Sequence, residues 1–163
     1  MDFFVWLEQT GLAVWLRESE SLLAFPTTLL MHTMGLALLV GLNTAIDLRL
    51  LGFVPRVPLA PMEKLFPLMW IGFWINAISG SLLLTADASR KFATPDFYVK
   101  MIFVALGAIN LVVMRSHVFH DPGLDKTPIS LNAKMLAVTS LIFWTGAITA
   151  GRLLAYLGPP RQP

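Results

Sequence analysis

The chain has no cysteine. That absence excludes disulfides, Cys-ligated zinc, iron–sulfur clusters and thiol nucleophiles together, so any metal or cofactor must be held by His, Met or carboxylate. Charge is scarce too: 13% of the 163 residues are Asp, Glu, Lys or Arg, where a soluble domain carries about 25%. The net charge of +2 is dispersed, and no basic cluster suited to a nucleic-acid surface occurs, which sets nucleic acid aside. Also missing are a nucleophile–base constellation, paired catalytic carboxylates, an HExxH motif and a phosphate-binding glycine loop. Hydrolytic and transferase chemistry therefore has no footing, and the chain is not expected to act as an enzyme on its own. The N-terminus, "MDFFVWLEQTGLAVWLRESES", has Asp2 where a basic n-region would stand and no small-x-small cleavage site, so no cleavable signal peptide is expected.

What remains is apolar. Hydrophobic residues make up 56% of the chain and the mean hydropathy is +0.69, the composition of a membrane protein. A span needs about 20 largely apolar residues to cross roughly 30 Å of hydrocarbon. Four segments qualify, over about 22–46, 65–86, 98–119 and 135–157. Ahead of them, residues 1–18 carry Phe3, Phe4, Trp6, Leu12, Val14, Trp15 and Leu16 but are interrupted by Glu8, Gln9, Thr10 and Gly11. That stretch is too short and broken to span, and its Trp residues suit the headgroup region, so one interfacial helix is expected.

The connections are short and rich in proline: Pro55, Pro58 and Pro61 in the first, Pro95 in the second, Pro122, Gly123 and Pro128 in the third. They read as stiff loops, and "LGPPRQP" stops the last helix at Gly158. The expected fold is an all-α integral membrane protein: a single domain over 1–163, an up-down-up-down bundle of four transmembrane helices preceded by the interfacial helix, with both termini on one side. Orientation is nearly balanced. The terminal side holds Arg17, Arg90, Lys91, Lys100, Arg152 and Arg161, and the other side Arg49, Arg56, Lys64, Arg115, Lys126 and Lys134. If Arg152 lies within the membrane, the count tips toward periplasmic termini.

At 100° per residue each span gathers a face of polar and small residues. On the first these are Thr28, His32, Gly35, Leu39, Asn43 and Asp47, and on the second Gly72, Asn76, Ser79 and Gly80. The third collects Gly107, Asn110 and His117, and the fourth Leu141, Thr145, Thr149 and Arg152. Such faces belong inside a bundle, where Asn76, Ser79, Asn110 and Thr145 serve as interhelical hydrogen-bonding groups worth about 0.6 kcal/mol each. His32 is placed roughly 15 Å deep, with Asn76, Asn110 and Thr145 at a similar level and Arg152 above. A central cofactor site of His32, Asn76, Asn110 and Arg152 is thereby permitted. Arg152 either snorkels to headgroups or pairs with an anionic ligand such as a haem propionate. Asp47 and Arg49, with Glu63 and Lys64, are expected to form the surface at the far side.

An imidazole within a membrane is a candidate proton carrier, metal ligand or haem ligand. His117 and His120 are too far along the normal to share a haem with His32, so a haem would be held by His32 alone, by His32 with Met, or by His32 from each of two copies. Met31 and Met34 flank His32 and offer soft donors for copper, though they project to other faces. His117, His120 and Asp121 form a second metal candidate at the far face, against the plainer reading of two solvated histidines at a helix end.

The segment "MHTMGLALLVGLNTAIDLRLLGF", with "LFPLMWIGFWINAISGSLLL" and the proline-rich first loop, resembles an uncharacterised family of small four-helix bacterial inner-membrane proteins. His32, Gly35 and Gly41, a His-x-x-Gly with a second glycine six residues on, are also similar to the His- and Gly-bearing segment that opens copper-resistance protein D-like membrane domains. The resemblances imply a bacterial inner-membrane location and copper or b-type haem at His32. Two functions stay open. One is metal handling or electron transfer at His32; the other is a cofactor-free accessory or scaffold subunit, in a homo-oligomer or with other membrane subunits.

Overall fold

The computed structural model describes residues 2–121, 123–125 and 127–157. Two short helices, α1 (Asp2–Glu8) and α2 (Gly11–Glu18), precede the long helix α3 (Phe25–Leu51). A 3-10 turn (Ala60–Lys64) leads into α4 (Leu65–Thr85), and a short α5 (Ala88–Phe92) into α6 (Pro95–Met114). A π-helical turn (Arg115–Phe119) extends α6, and α7 (Leu131–Leu157) completes the order. Four helices are long and apolar enough to cross a membrane, over Phe25–Leu51, Ala60–Thr85, Pro95–Phe119 and Leu131–Leu154. The protein is a four-helix membrane bundle. Most of each span faces outward, through residues such as Leu30, Met34, Ile71, Trp74, Ile102, Ile109, Met135 and Ile142. That surface suits lipid and no aqueous solvent.

The helix ends differ from expectation because caps, and not hydropathy, set them. The turn before α3 keeps Leu22 and Leu23 outside the helix, and Pro26 fixes its first turn. Pro95 does the same for α6, three residues earlier than Tyr98. Ser130 Oγ accepts the Ala133 amide at 3.2 Å, an N-cap that starts α7 at Leu131, ahead of Met135. The expected stop at Gly158, together with Pro122, Lys126 and Arg161, lies outside the described residues.

The expected single interfacial helix is two. The chain is extended at Thr10 (ψ 146°), and Thr10 Oγ1 turns back to the Leu7 carbonyl. α1 is fastened to α5, which stands where a loop was expected: Phe4 stacks on Phe92 with ring centroids 4.3 Å apart. Glu8 Oε1 accepts both the amide and the hydroxyl of Ser89 at 2.7 Å, supplying the N-terminal partner that Asp87 does not. Ala13 and Leu16 are buried while Trp6, Leu12 and Trp15 stay exposed, the division expected of helices lying at a membrane surface.

Two hairpins, α3/α4 and α6/α7, join mainly through α3 and α7. Within the first, the backbones touch: a Cβ on Gly35 would stand 2.7 Å from the Asn76 nitrogen and 2.8 Å from the Gly72 oxygen. The second interlocks by aromatic rings over glycines, Trp144 against Gly107 and Phe103 against Gly146. The core between the hairpins contains Leu39, Ile46, Leu50, Phe66, Met69, Leu111, Met114 and Trp144.

The inward faces expected for α3 and α4 are observed, but that of α7 is turned. Thr145, Thr149 and Arg152 are exposed, while Ala133, Ala137, Ser140, Trp144 and Ala147 are buried. Small Ala and Ser residues let helices approach closely. A threonine hydroxyl can be satisfied within its own helix, as Thr33 Oγ1 is by the Leu29 carbonyl at 2.9 Å, so threonine does not demand an inward position. His117, expected on the inner face of α6, is exposed.

Candidate functional site

A cavity of about 610 Å³ opens at the end of the bundle that carries the N-terminal helices. Five parts of the chain converge on it. α2 contributes Leu16 and Arg17, α3 Phe25, Leu29 and His32, the end of α4 with α5 Leu83, Asp87, Arg90 and Lys91, α6 Phe97 and Lys100, and α7 Gly151 and Leu154. The walls are apolar, with four cations set among them and one carboxylate. Arg90 Nε lies 3.3 Å from Asp87, Arg17 is paired with Glu18 at 2.9 Å, and Lys91 Nζ donates to the Leu83 carbonyl. Lys100 is half-buried, its stem crossing α7 at Gly151, where a Cβ would lie 3.6 Å from it. No ion pair joins Lys100 to a carboxylate among the described residues.

His32 forms part of the lining. It sits seven residues past Phe25, the start of α3, and so about 10 Å along the helix, shallower than the 15 Å expected from a start at Leu22. Its Nδ1 is 3.0 Å from the Asn76 carbonyl oxygen and 3.2 Å from Ser79 Oγ. Ser79 Oγ gives its own proton to the Ile75 carbonyl at 2.6 Å. Both neighbours of Nδ1 are therefore acceptors, which places the ring proton on Nδ1 and leaves Nε2 of the neutral ring with a bare lone pair. The Asn76 side-chain amide donates to the His32 carbonyl at 2.8 Å and lies 3.5 Å from Nε2, beyond a normal hydrogen bond. Gly80 makes room for the ring, since a Cβ there would come within 2.9 Å of Cε1. A histidine whose Nδ1–H is held by a backbone carbonyl presents Nε2 as a ligand.

Of the residues expected around His32, the structure brings Asn76 into contact and the others elsewhere. Asn110 is fifteen residues from Pro95, in the far half of α6, and its amide donates to the Leu136 carbonyl at 3.2 Å and to Thr139 Oγ1 at 2.9 Å. It stitches α6 to α7. Arg152 is exposed and is not among the residues lining the cavity. At the opposite end, His117 and His120 are exposed, their Nδ1 atoms 3.1 Å and 2.9 Å from the Val113 and Arg115 carbonyls. No group of three His, Cys, Asp or Glu that could hold a metal ion is found among the described residues.

Sequence reasoning missed the cations. Arg17, the adjacent Arg90 and Lys91, and Lys100 fall in three separate segments, each reading as an ordinary interfacial charge, and only the docking of α2 and α5 on the bundle collects them. It gave Asp47 two places, on the inner stripe of α3 and at the far-side surface, and the first is observed: Asp47 is fully buried between α3 and α7, where Ser140 Oγ donates to its Oδ2 at 2.8 Å and Asn43 Nδ2 at 2.9 Å. Its neighbour Arg49 instead donates to the Val57 carbonyl and lies 3.8 Å from Asp125.

Comparison with known proteins finds no matching family, no similar curated protein and no similar solved structure.

Proposed function

We propose that the protein binds an amphiphile with an acidic head group in the cavity above His32, at one face of the bacterial inner membrane. The observation that carries this reading is Lys100: a half-buried ammonium without a carboxylate partner among the described residues, in an apolar wall that also holds Arg17, Arg90 and Lys91. A cation there is costly unless an anion joins it. The ligand's acid meets Lys100 and the arginines at the mouth, and its apolar body lies along Phe25, Leu29, Leu83 and Phe97. His32 Nε2 then receives whatever electron-poor atom the ligand offers at the floor.

Two ligands share this chemistry. A b-type haem would use every feature, with iron on His32 Nε2 and propionates on the Lys and Arg side chains. An anionic lipid would use the cations and the apolar walls, with His32 accepting a hydrogen bond. Copper alone fits less well, because no Met lines the cavity and Asp87, its only carboxylate, is engaged by Arg90. In the haem reading the chain serves electron transfer; in the lipid reading, carriage or sensing.

The experiment is to purify the protein from its native membrane in mild detergent, record its ultraviolet–visible spectrum, and extract and weigh its bound small molecules. A Soret band lost in His32→Ala identifies haem. A colourless sample with a co-purifying acidic lipid, depleted at least tenfold in Lys100→Met, identifies the lipid. A parent protein with neither overturns the proposal and favours a cofactor-free accessory subunit whose His32 only ties α3 to α4.

A further inference from the structure

Asn43, Asp47 and Ser140 are each 0% exposed, and they lie within the apolar core where α3 meets α7. Asn43 and Asp47 stand one turn apart on α3, on the same face. Asp47 Oδ2 accepts from Asn43 Nδ2 at 2.9 Å and from Ser140 Oγ at 2.8 Å, and Asn43 Nδ2 also reaches Ser140 Oγ. Every donor of the trio is thus directed at Asp47 Oδ2 or spent within the cluster. Two acceptors remain: Asp47 Oδ1 and Asn43 Oδ1, both buried and both without a partner.

The charge of an ionised Asp47 would be uncompensated. No ion pair reaches it among the described residues. The charged and titratable groups on the elements packed around it are turned elsewhere. Arg49 of α3 binds the Val57 carbonyl and Asp125, and Arg115 at the end of α6 is exposed and faces Glu63 of the 3-10 turn. Lys64, Lys134, His117 and His120 are exposed. A buried carboxylate left in that state is strongly disfavoured, because it has lost its hydration and gained no opposite charge. A hard metal cation takes about six oxygen ligands, and the two orphaned oxygens with Ser140 Oγ fall well short.

One proton satisfies the account. We infer that Asp47 is an intramembrane proton-binding site: a neutral carboxylic acid whose Oδ1–H donates to the Asn43 amide oxygen while Asn43 Nδ2 donates to Oδ2. The two planar groups form a cyclic acid–amide pair, and Ser140 pins that pair to α7. Exchanging the amide's oxygen and nitrogen does not remove the need, since the oxygen would then face Asp47 Oδ2 and again call for a hydrogen between them. Release of the proton puts a charge into the α3–α7 contact and leaves two acceptors facing each other, so proton loss and helix separation are coupled. The inference is independent of the cavity at the other end of α3.

The test is infrared spectroscopy at neutral pH on protein labelled with carboxyl-¹³C aspartate, in lipid nanodiscs. Asp47 is the one aspartate buried among the described residues. The expected spectrum has a protonated-acid C=O band, above the amide band, that moves with the label and vanishes in Asp47→Asn. That variant keeps the contacts of the neutral acid and unfolds within a few degrees of the parent. Absence of a label-sensitive protonated-acid band in the parent overturns the inference, and so does a sodium-dependent rise in its melting temperature that Asp47→Asn abolishes. Should the variant fail to fold, the labelled parent spectrum alone decides.

Discussion

Asp125 stands in the left-handed region (φ 66°), a conformation that Asp tolerates better than most residues. There it aims its carboxylate at the first loop. Oδ1 accepts the Leu59 amide and Oδ2 the Ala60 amide, each at 2.8 Å, closing the start of the 3-10 turn against the α6–α7 connection. Hydrogen bonds from the Ala60 and Leu59 amides hold this carboxyl below the usual range against an opposing effect of burial, with the nearby Arg49 guanidinium a lesser contribution in the same direction as the amides. A depressed folded value means that the stabilisation is complete above the unfolded value of about 4 and is lost as pH falls through the lower folded one. Asp125→Ala is therefore expected to cost about 1 kcal/mol at neutral pH, discounted for exposure, and to narrow the gap from the parent in acid. Thermal unfolding in detergent at both pH values checks it, and an equal gap at both would contradict the assignment. None of this was legible beforehand, because nothing in "HDPGLDKTPIS" tells which of Asp121 and Asp125 reaches back to residue 59. Asp47 drew two readings for a related reason: its place on the inner stripe of α3 points inward, a carboxylate two residues from Arg49 near a helix end reads as a surface pair, and only the contact with Ser140 decides for the first.

At the scale of elements, the sequence disclosed the four spans and the inner faces of α3 and α4. On those helices polar and small residues follow one stripe, so the pattern has one solution. α7 carries two competing stripes, Thr145 and Thr149 on one side and Ala133, Ala137, Ser140 and Ala147 on the other. The small residues win because close packing depends on size, whereas threonine can satisfy its hydroxyl alone. The α3–α4 crossing offers a direct test of how packing supports the site. A methyl on Gly35 would meet the Asn76 nitrogen at 2.7 Å and the Gly72 oxygen at 2.8 Å, backbone atoms that cannot rotate away. Gly35→Ala is expected to push α4 outward at a cost of about 1–3 kcal/mol and to break the Asn76 bond to the His32 carbonyl. It should therefore lower both the melting temperature and ligand retention. Gly41→Ala, with nothing within 4 Å of the added carbon, should change neither, although Gly41 stands beside Gly35 in the sequence motif. Equal effects from the two would place the crossing elsewhere.

For the whole molecule the open quantity is which face of the membrane the cavity serves, and the fold changes how the charges are counted. Lys100 stands five residues inside the third span with its stem packed against α7, so it does not count as a loop charge, whereas Arg152, like Arg49, Lys64, Arg115 and Lys134, lies within about a turn of a span end and stays in the count. The terminal side then retains Arg17, Arg90, Lys91, Arg152 and Arg161, five against the six of Arg49, Arg56, Lys64, Arg115, Lys126 and Lys134 on the other. Orientation follows Lys and Arg in short loops, with acidic residues contributing little, so the termini and the cavity are expected on the periplasmic side. The lack of cysteine makes this simple to measure. Ser21→Cys, exposed between α2 and α3, and Thr127→Cys, exposed between α6 and α7, each introduce the only thiol in the chain. With a membrane-impermeant maleimide on intact spheroplasts, Ser21→Cys is expected to label and Thr127→Cys to label only after permeabilisation. The reverse pattern would put the cavity at the cytoplasmic leaflet, and its ligand would then have to come from the cytoplasmic pool. Labelling of both in intact spheroplasts would mean that a five-to-six difference is too small to set one orientation, and that a partner subunit or the insertion order of the hairpins decides it.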